Sequence, residues 1–333
     1  MNKSRRPGRR PISATVAAAA ATALGLFALT ACSGATAAES AASAKDKGKL
    51  KVTASFYPLE FLARQIGAGD VVVTDLTKPG VEPHDLELTP RQAAALGGSD
   101  VIVYLKGLQP AVDDAIAQSG VKHRVDAGSL TTLEDHGTEV DGTRHTTGDN
   151  GSGGKSDEGP GADPHIWLDP VKYAQVAKGV GAALEQADPA HAATYAKNTA
   201  ALVTRLGTLD TQFRDGLRSR TSDTFVTTHA AFGYLAERYG LVEEAINGID
   251  PESEPSAARM KALQDLARDK HVTTVFFETL VSDRTAKTVA GDLGLRTDVL
   301  DPIEGITPLS HGTDYFQVQQ SNLRALRTAL GAK

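Results

Sequence analysis

The sequence predicts an α/β protein of two lobes, each a parallel sheet flanked by helices, joined by one long linking helix. Three observations predict it. Short β-branched runs alternate with apolar segments at helical spacing from Leu50 onward. The alternation is broken by a long helical pattern between Asp188 and Arg218, and it resumes from Thr224 to Leu330. Strand and helix alternating at this spacing build βαβ units and hence parallel sheets. The 333 residues suit about two domains of ~150 residues. A composition 41% hydrophobic and 23% charged excludes a largely disordered or collagen-like chain.

The N-terminal segment lies outside this fold. Arg5, Arg6, Arg9 and Arg10 form a positive region, and Ile12 to Leu29 is an uncharged, alanine-rich apolar run. Leu29-Thr30-Ala31-Cys32 follows, a small residue directly before the only cysteine. The arrangement resembles a bacterial lipobox, so residues 1–31 read as a lipoprotein signal peptide and Cys32 as the lipidated residue that anchors the chain to the membrane's outer face. A single cysteine excludes an intramolecular disulfide and a cysteine-rich metal cluster. Residues 32–49, rich in alanine, serine and lysine, read as a flexible tether. The chain carries a formal charge of −6, and residues 1–31 contribute only cations, so what remains is more acidic still. Such a field attracts cations and argues against nucleic acid as a partner.

Each element of the first lobe, residues 50–187, has a local signature. Leu50 to Ser55 reads as a strand and Pro58 to Ile66 as a helix. Val71 to Leu76 is strand-like, and Thr89-Pro90 is an N-cap with proline at the first helical position, opening a helix to Leu96. Val101 to Leu105 is a buried strand by length and β-branching, and Gln109 to Gln118 a helix. Asp135 to Asp163 is glycine-rich and acidic, holds His136 and His145 and has little apolar content, so it reads as a mobile loop. Asp169-Pro170 caps a helix to Gln186.

The linking helix is expected over residues 188–219. Leu202, Leu206, Leu209, Phe213 and Leu217 recur at spacings of three and four. Thirty helical residues span ~45 Å, enough to join two lobes rigidly. In the second lobe, residues 220–333, Thr224 to Thr228 is a strand and Ala230 to Tyr239 a helix ended by Gly240. Ser256 to Asp269 is a helix, Val272 to Phe277 a strand, and Asp283 to Leu293 a helix ended by Gly294. Thr297 to Leu300 is a strand and Asp314 to Leu330 the last helix.

Three of the nine histidines stand where strands or loops hand over to helices: His84 in Gly-Val-Glu-Pro-His-Asp, His165 in Asp-Pro-His-Ile-Trp-Leu-Asp-Pro, and His229 in Thr-Thr-His-Ala-Ala-Phe. Ligand sites of open α/β sheets lie beyond the carboxyl ends of the strands, where His84, His229 and Asp301 are expected. Three imidazoles and one carboxylate make a nitrogen–oxygen donor set suited to zinc. Spacing alone leaves open whether these residues share one site, since they lie far apart in the chain.

The words around them resemble the metal-specific solute-binding proteins of ABC importers, in the zinc-uptake (ZnuA-like) branch. The blocks are Pro79 to Asp85 with Thr89-Pro90, Asp163 to Pro170, Thr227 to Tyr234, and Phe277 to Asp283. The resemblance covers Leu50 to Leu330. It implies a metal in the cleft between two α/β lobes, with His84 and His165 as ligands from the first lobe and His229 and Asp301 from the second. It also implies an ABC permease and its ATPase as partners, and a monomer that delivers Zn(II). Three imidazoles favour zinc over the harder manganese, which prefers carboxylate, although relatives with this donor set also take Mn(II). Glu278, ending an apolar strand, is expected beside a ligand imidazole or in an ion pair within the lobe, and Glu82 near the metal. His136 and His145 are candidates for a weak site in the acidic loop. His123, His191, His271 and His311 read as surface or structural residues, and Trp167 as packing.

Other functions stay open at this level: a manganese or iron binder of the same family, an adhesin containing metal, or a zinc hydrolase. The chain holds no H-E-x-x-H, G-x-S-x-G or P-loop, and four candidate ligands leave no open position for a catalytic water. Both observations favour a binding protein over an enzyme.

Overall fold

Strands buried on both faces need helices on both sides, and the apolar runs of this chain obtain them twice. The computed structural model describes residues 46–136, 162–252 and 255–333. Residues 49–333 form one compact unit. The first sheet holds β1 (Leu50–Ala54), β2 (Val71–Asp75), β3 (Val101–Tyr104) and β4 (His123–Asp126). The second holds β5 (Thr224–Thr227), β6 (Val242–Ala245), β7 (Thr274–Phe277) and β8 (Arg296–Val299). The orders are β2-β1-β3-β4 and β6-β5-β7-β8, and every pairing is parallel. The expected class of two parallel sheets with flanking helices is the observed one.

The helices of the first half are α1 (Tyr57–Gly67), α2 (Pro90–Leu96), α3 (Pro110–Gln118) and α4 (Pro170–Ala187). The caps named from sequence are present. Thr89 and Gln92 form a capping box on α2, which satisfies two of its free backbone donors. On α4 the Asp169 carboxylate accepts the Val171 N–H at 2.7 Å. After α5 (Ala192–Leu217) come α6 (Gly233–Tyr239), α7 (Ala257–Asp269), α8 (Arg284–Leu293) and α9 (Tyr315–Ala329). Gly240 and Gly294 end α6 and α8 at φ 64° and 65°, the left-handed conformation that glycine adopts most readily.

Three details differ from the sequence reading. The helix expected from Ala230 begins at Gly233. The linking helix begins at Ala192 rather than Asp188, because Asp188 is used as the C-terminal cap of α4. Its carboxylate is bonded to His191 Nδ1 (2.6 Å) and accepts the Tyr195 hydroxyl proton (2.8 Å), holding residues 189–191 in a turn. The strands β4 and β6 were not foreseen. Their sequences, His-Arg-Val-Asp and Val-Glu-Glu-Ala, are polar. An edge position tolerates this because only one side of the strand is paired.

The largest apolar cluster runs without a break from Leu50 and Val52, through Leu202, Leu206 and Phe213 of α5, to Phe225, Phe276 and Tyr315. Smaller clusters fill the outer flanks of the sheets, around Leu263 and Val275 and around Leu96 and Val112. Helix α5 packs on α1 and α4 at one end and α9 at the other. Hydrogen bonds also cross between the halves: Trp167 Nε1 donates to the Pro302 carbonyl (2.6 Å) and the Tyr315 hydroxyl to the Trp167 carbonyl (2.6 Å). Trp167 is fully buried against Phe56, as packing predicts.

Candidate metal centre

The carboxyl ends of both sheets meet at one point, and three histidines converge there. His84 comes from the loop after β2, His165 from the turn ahead of α4, and His229 follows β5 by two residues. Their ring centroids are 5.5 Å (His84–His165), 5.5 Å (His84–His229) and 4.9 Å (His165–His229) apart. The fourth member is Glu304, five residues beyond the end of β8. One donor atom from each of His84, His165, His229 and Glu304 lies within 4.8 Å of all the others. Glu304 Oε1 is 3.4 Å from His84 Nε2 and 3.2 Å from His165 Nε2.

These donors are buried and lack hydrogen bonds. His84 Nε2, His165 Nε2, both ring nitrogens of His229 and both carboxylate oxygens of Glu304 are out of solvent without a hydrogen-bond partner. An orphaned buried polar atom costs ~1–3 kcal/mol and a charged one more, so a cluster of them is kept for a ligand that satisfies all of them together. A divalent cation does so; an apolar or anionic ligand does not.

Asp301, expected as the fourth ligand, is not in this set of four. Its Oδ1 accepts the Ile303 N–H at 2.7 Å and its Oδ2 the Thr279 hydroxyl proton at 3.1 Å. This Asx-type turn runs through Pro302 into Ile303 at φ 62°. That is a left-handed conformation which β-branched residues strongly disfavour. The turn delivers the next acid, Glu304, to the histidines instead. A signal for it existed in Leu-Asp-Pro-Ile-Glu, where an aspartate before proline reads as a turn and leaves a second carboxylate beyond it.

Partners outside the four set ring orientation and charge. Asp163 accepts from the His165 backbone N–H (2.9 Å) and lies 2.8 Å from His165 Nδ1, leaving Nε2 aimed at Glu304. A carboxylate on the far nitrogen is how metal-ligating imidazoles are commonly oriented. Glu278 Oε1 lies 3.4 Å from His229 Nδ1. Glu82 accepts the His84 N–H at 2.8 Å and so holds that loop. Burial opposes a charged His165, but Asp163 and Glu304 outweigh it and lift the imidazole to about 10. Burial likewise opposes a charged His84, and Glu304 again raises it. Burial would raise Glu304, yet the two imidazoles hold it well below the usual carboxylate range. Burial pushes Asp301 up to about 6 and Glu82 to about 7, the latter with help from the Glu304 charge. The metal-free centre therefore stores protons where a cation would sit.

His123, His191, His271 and His311 take no part in the cluster. His136 stands outside it, against Asp163 and Glu237. His145 falls in 137–161, and Cys32 in 1–45, both outside the described residues.

The chain is similar to known proteins over nearly all of residues 49–333. The sequence profile of the family described as "Zinc-uptake complex component A periplasmic" matches residues 52–329. The high-affinity zinc uptake system protein ZnuA of Bacillus subtilis is 33% identical over 299 residues, spanning 87% of this chain and 91% of that protein. The zinc-binding lipoprotein AdcA of Streptococcus pneumoniae is 33% identical over 286 residues; the match takes in 84% of this chain but only 56% of the relative's length. The crystal structure of the Zn(II)-bound ZnuA-like domain of that AdcA superposes with a TM-score of 0.69 at 30% identity, covering 85% of this chain and 99% of that one. With a two-sheet fold, a three-histidine cluster between the sheets and a profile match over nearly all of 49–333, the chain belongs to the zinc-uptake complex component A family.

Proposed function

We propose that this chain captures Zn(II) outside the cytoplasm between His84, His165, His229 and Glu304 and passes it to an ABC-type importer. The observation that carries the reading is the convergence of buried imidazole nitrogens and one carboxylate without hydrogen-bond partners. Three imidazoles and one carboxylate suit tetrahedral zinc better than manganese, which favours more oxygen donors. Four donors fill a tetrahedral shell and leave no position for an activated water, which supports carriage over catalysis. Asp301 acts by shaping the turn that presents Glu304, and Glu278 by orienting His229.

The donors are divided evenly: His84 and His165 belong to the first half, His229 and Glu304 to the second. Zinc thus closes a bridge between the two sheets' loops. Release requires those loops to part, and His84, the most exposed of the four side chains at 11%, is the natural point of exit. Lipid on Cys32 would keep the carrier beside its permease; no described helix is long and apolar enough to cross a membrane.

Metal analysis of the purified chain, with competitive titration by zinc and manganese, tests the binding. Zinc at about one tight equivalent, preferred over manganese, is expected; a manganese preference overturns the selectivity. Growth of the source cell under zinc chelation tests delivery. Loss of the gene should abolish it, and restoration should follow from the wild-type chain but not from His165→Ala. Cys32→Ser should move the protein from the membrane to the soluble fraction.

A further inference from the structure

A second group of donor atoms stands at the protein surface. Glu134 and His136 lie in the extended segment beyond β4, and Glu237 on α6. One donor atom from each lies within 4.8 Å of the other two. His136 Nε2 is 2.9 Å from Glu237 Oε2 and 3.7 Å from Glu134 Oε2. Lys172 Nζ occupies the other oxygen, Glu134 Oε1, at 2.7 Å, so Oε2 is the one turned to the ring.

The imidazole is held in position. Its Nδ1 lies 3.2 Å from Asp163 Oδ2, leaving Nε2 outward between the glutamates. This is the carboxylate–histidine arrangement that orients metal-ligating imidazoles. The Tyr234 ring meets it edge-on at 4.4 Å, and the Tyr234 hydroxyl accepts the Glu134 N–H (2.8 Å) and donates to the Asp163 carbonyl (2.8 Å). Gly233 makes room for it, since a Cβ there would sit 2.2 Å from His136 Cβ.

We propose that Glu134, His136 and Glu237 form a second divalent-cation site, distinct from the buried centre and linked to it by Asp163. One imidazole and two carboxylates suit a zinc-class ion with water completing the shell. Glu237 is 58% exposed, so this site exchanges with solvent more readily than the buried one. Asp163 is itself buried and gives one oxygen to each imidazole, Oδ1 to His165 and Oδ2 to His136. The two sites therefore share an orienting carboxylate, and an ion at the outer site is held beside the inner one.

The test is zinc titration of the full chain by calorimetry and by competition with a chromogenic chelator, comparing wild type with Glu237→Gln and Glu134→Gln. The first removes an exposed ligand without touching the core. The second removes the other carboxylate, which is partly exposed, and leaves Asp163 and both imidazoles in place. Each variant should bind one zinc equivalent fewer, or bind that equivalent at least ~10-fold more weakly, while the tight equivalent keeps its affinity. Equal stoichiometry and affinity in wild type and Glu237→Gln would overturn the site. So would loss of the tight equivalent in Glu237→Gln, because the glutamate would then belong to the buried centre.

Discussion

At the residue scale, one carboxylate decides the donor set. Glu304→Gln should weaken zinc by ~100-fold or more, since even outer-shell changes cost ~10–100-fold. Asp301→Asn should cost less, because the amide oxygen still accepts the Ile303 N–H; chelator competition that ranked the two the other way would make Asp301 the ligand. Alanine at His84, His165 or His229 should cost at least as much as Glu304→Gln, whereas His311→Ala should cost nothing. Proton linkage follows from the same contacts. His165 rises to about 10 in the metal-free fold, from an unfolded value of about 6.5. Its contribution to metal-free stability is thus complete below about 6.5 and is lost as the pH rises through about 10. Zinc needs the unprotonated Nε2 and must displace that proton. Zinc binding at pH 7 should therefore release protons, seen as a dependence of the binding heat on buffer ionisation enthalpy. Affinity should climb by roughly tenfold per pH unit for each proton displaced, and beyond the pH at which free imidazole has already titrated. A flat profile from pH 5 to 9 would contradict the charge assignment. His84, His165 and His229 were visible from their positions at the ends of elements; Glu304 was not, because choosing between two nearby acids requires the turn at Pro302 and Ile303.

At the scale of elements, α5 carries the connection. It buries Tyr195, Leu202, Leu206, Leu209, Phe213 and Leu217 along one face of its 26 residues. At the usual rise per residue the helix extends ~39 Å. About two-thirds of the way along, Asp210 accepts from Arg238 Nε (2.7 Å) and the Tyr239 hydroxyl (3.2 Å) of α6, and Arg238 also lies 3.3 Å from Asp169 at the start of α4. The helix is thus clamped to both halves away from its ends. Leu206→Ala, at a fully buried position, should destabilise the metal-free protein by ~2–5 kcal/mol, read from the denaturant midpoint. The 3.6-residue period of α5 and the proline-marked starts of α2 and α4 were legible in the chain. Where α5 begins was not, because Asp188-Pro189 is an equally good local start and only the bonds of Asp188 to His191 and Tyr195 assign it to the preceding turn.

At the scale of the whole molecule, the proposed zinc donors are assembled only in the folded state and drawn from both halves. Zinc should raise the melting temperature in a concentration-dependent way, stabilising by ~2.7 kcal/mol at a hundredfold excess over the dissociation constant. Calorimetric scans with and without zinc check this. The unbroken core through α5 and the Trp167–Pro302 and Tyr315–Trp167 hydrogen bonds oppose wide opening. Scattering profiles of metal-free and zinc-loaded protein should nearly superimpose, and a change of several ångströms in radius of gyration would refute the clamp. The sequence by itself determined the fold class and most of the elements, because hydrophobic period, caps and turn residues act over a few neighbours and leave local marks; the polar edge strands β4 and β6 left none. It also determined which histidines stand at strand and helix ends. The tertiary structure alone decided that residues 81 and 64 positions apart in the chain meet, that Glu304 rather than Asp301 faces them, and that Asp163 serves two imidazoles. Those outcomes depend on the packing of one sheet's loops against the other's, a long-range arrangement that no local pattern encodes.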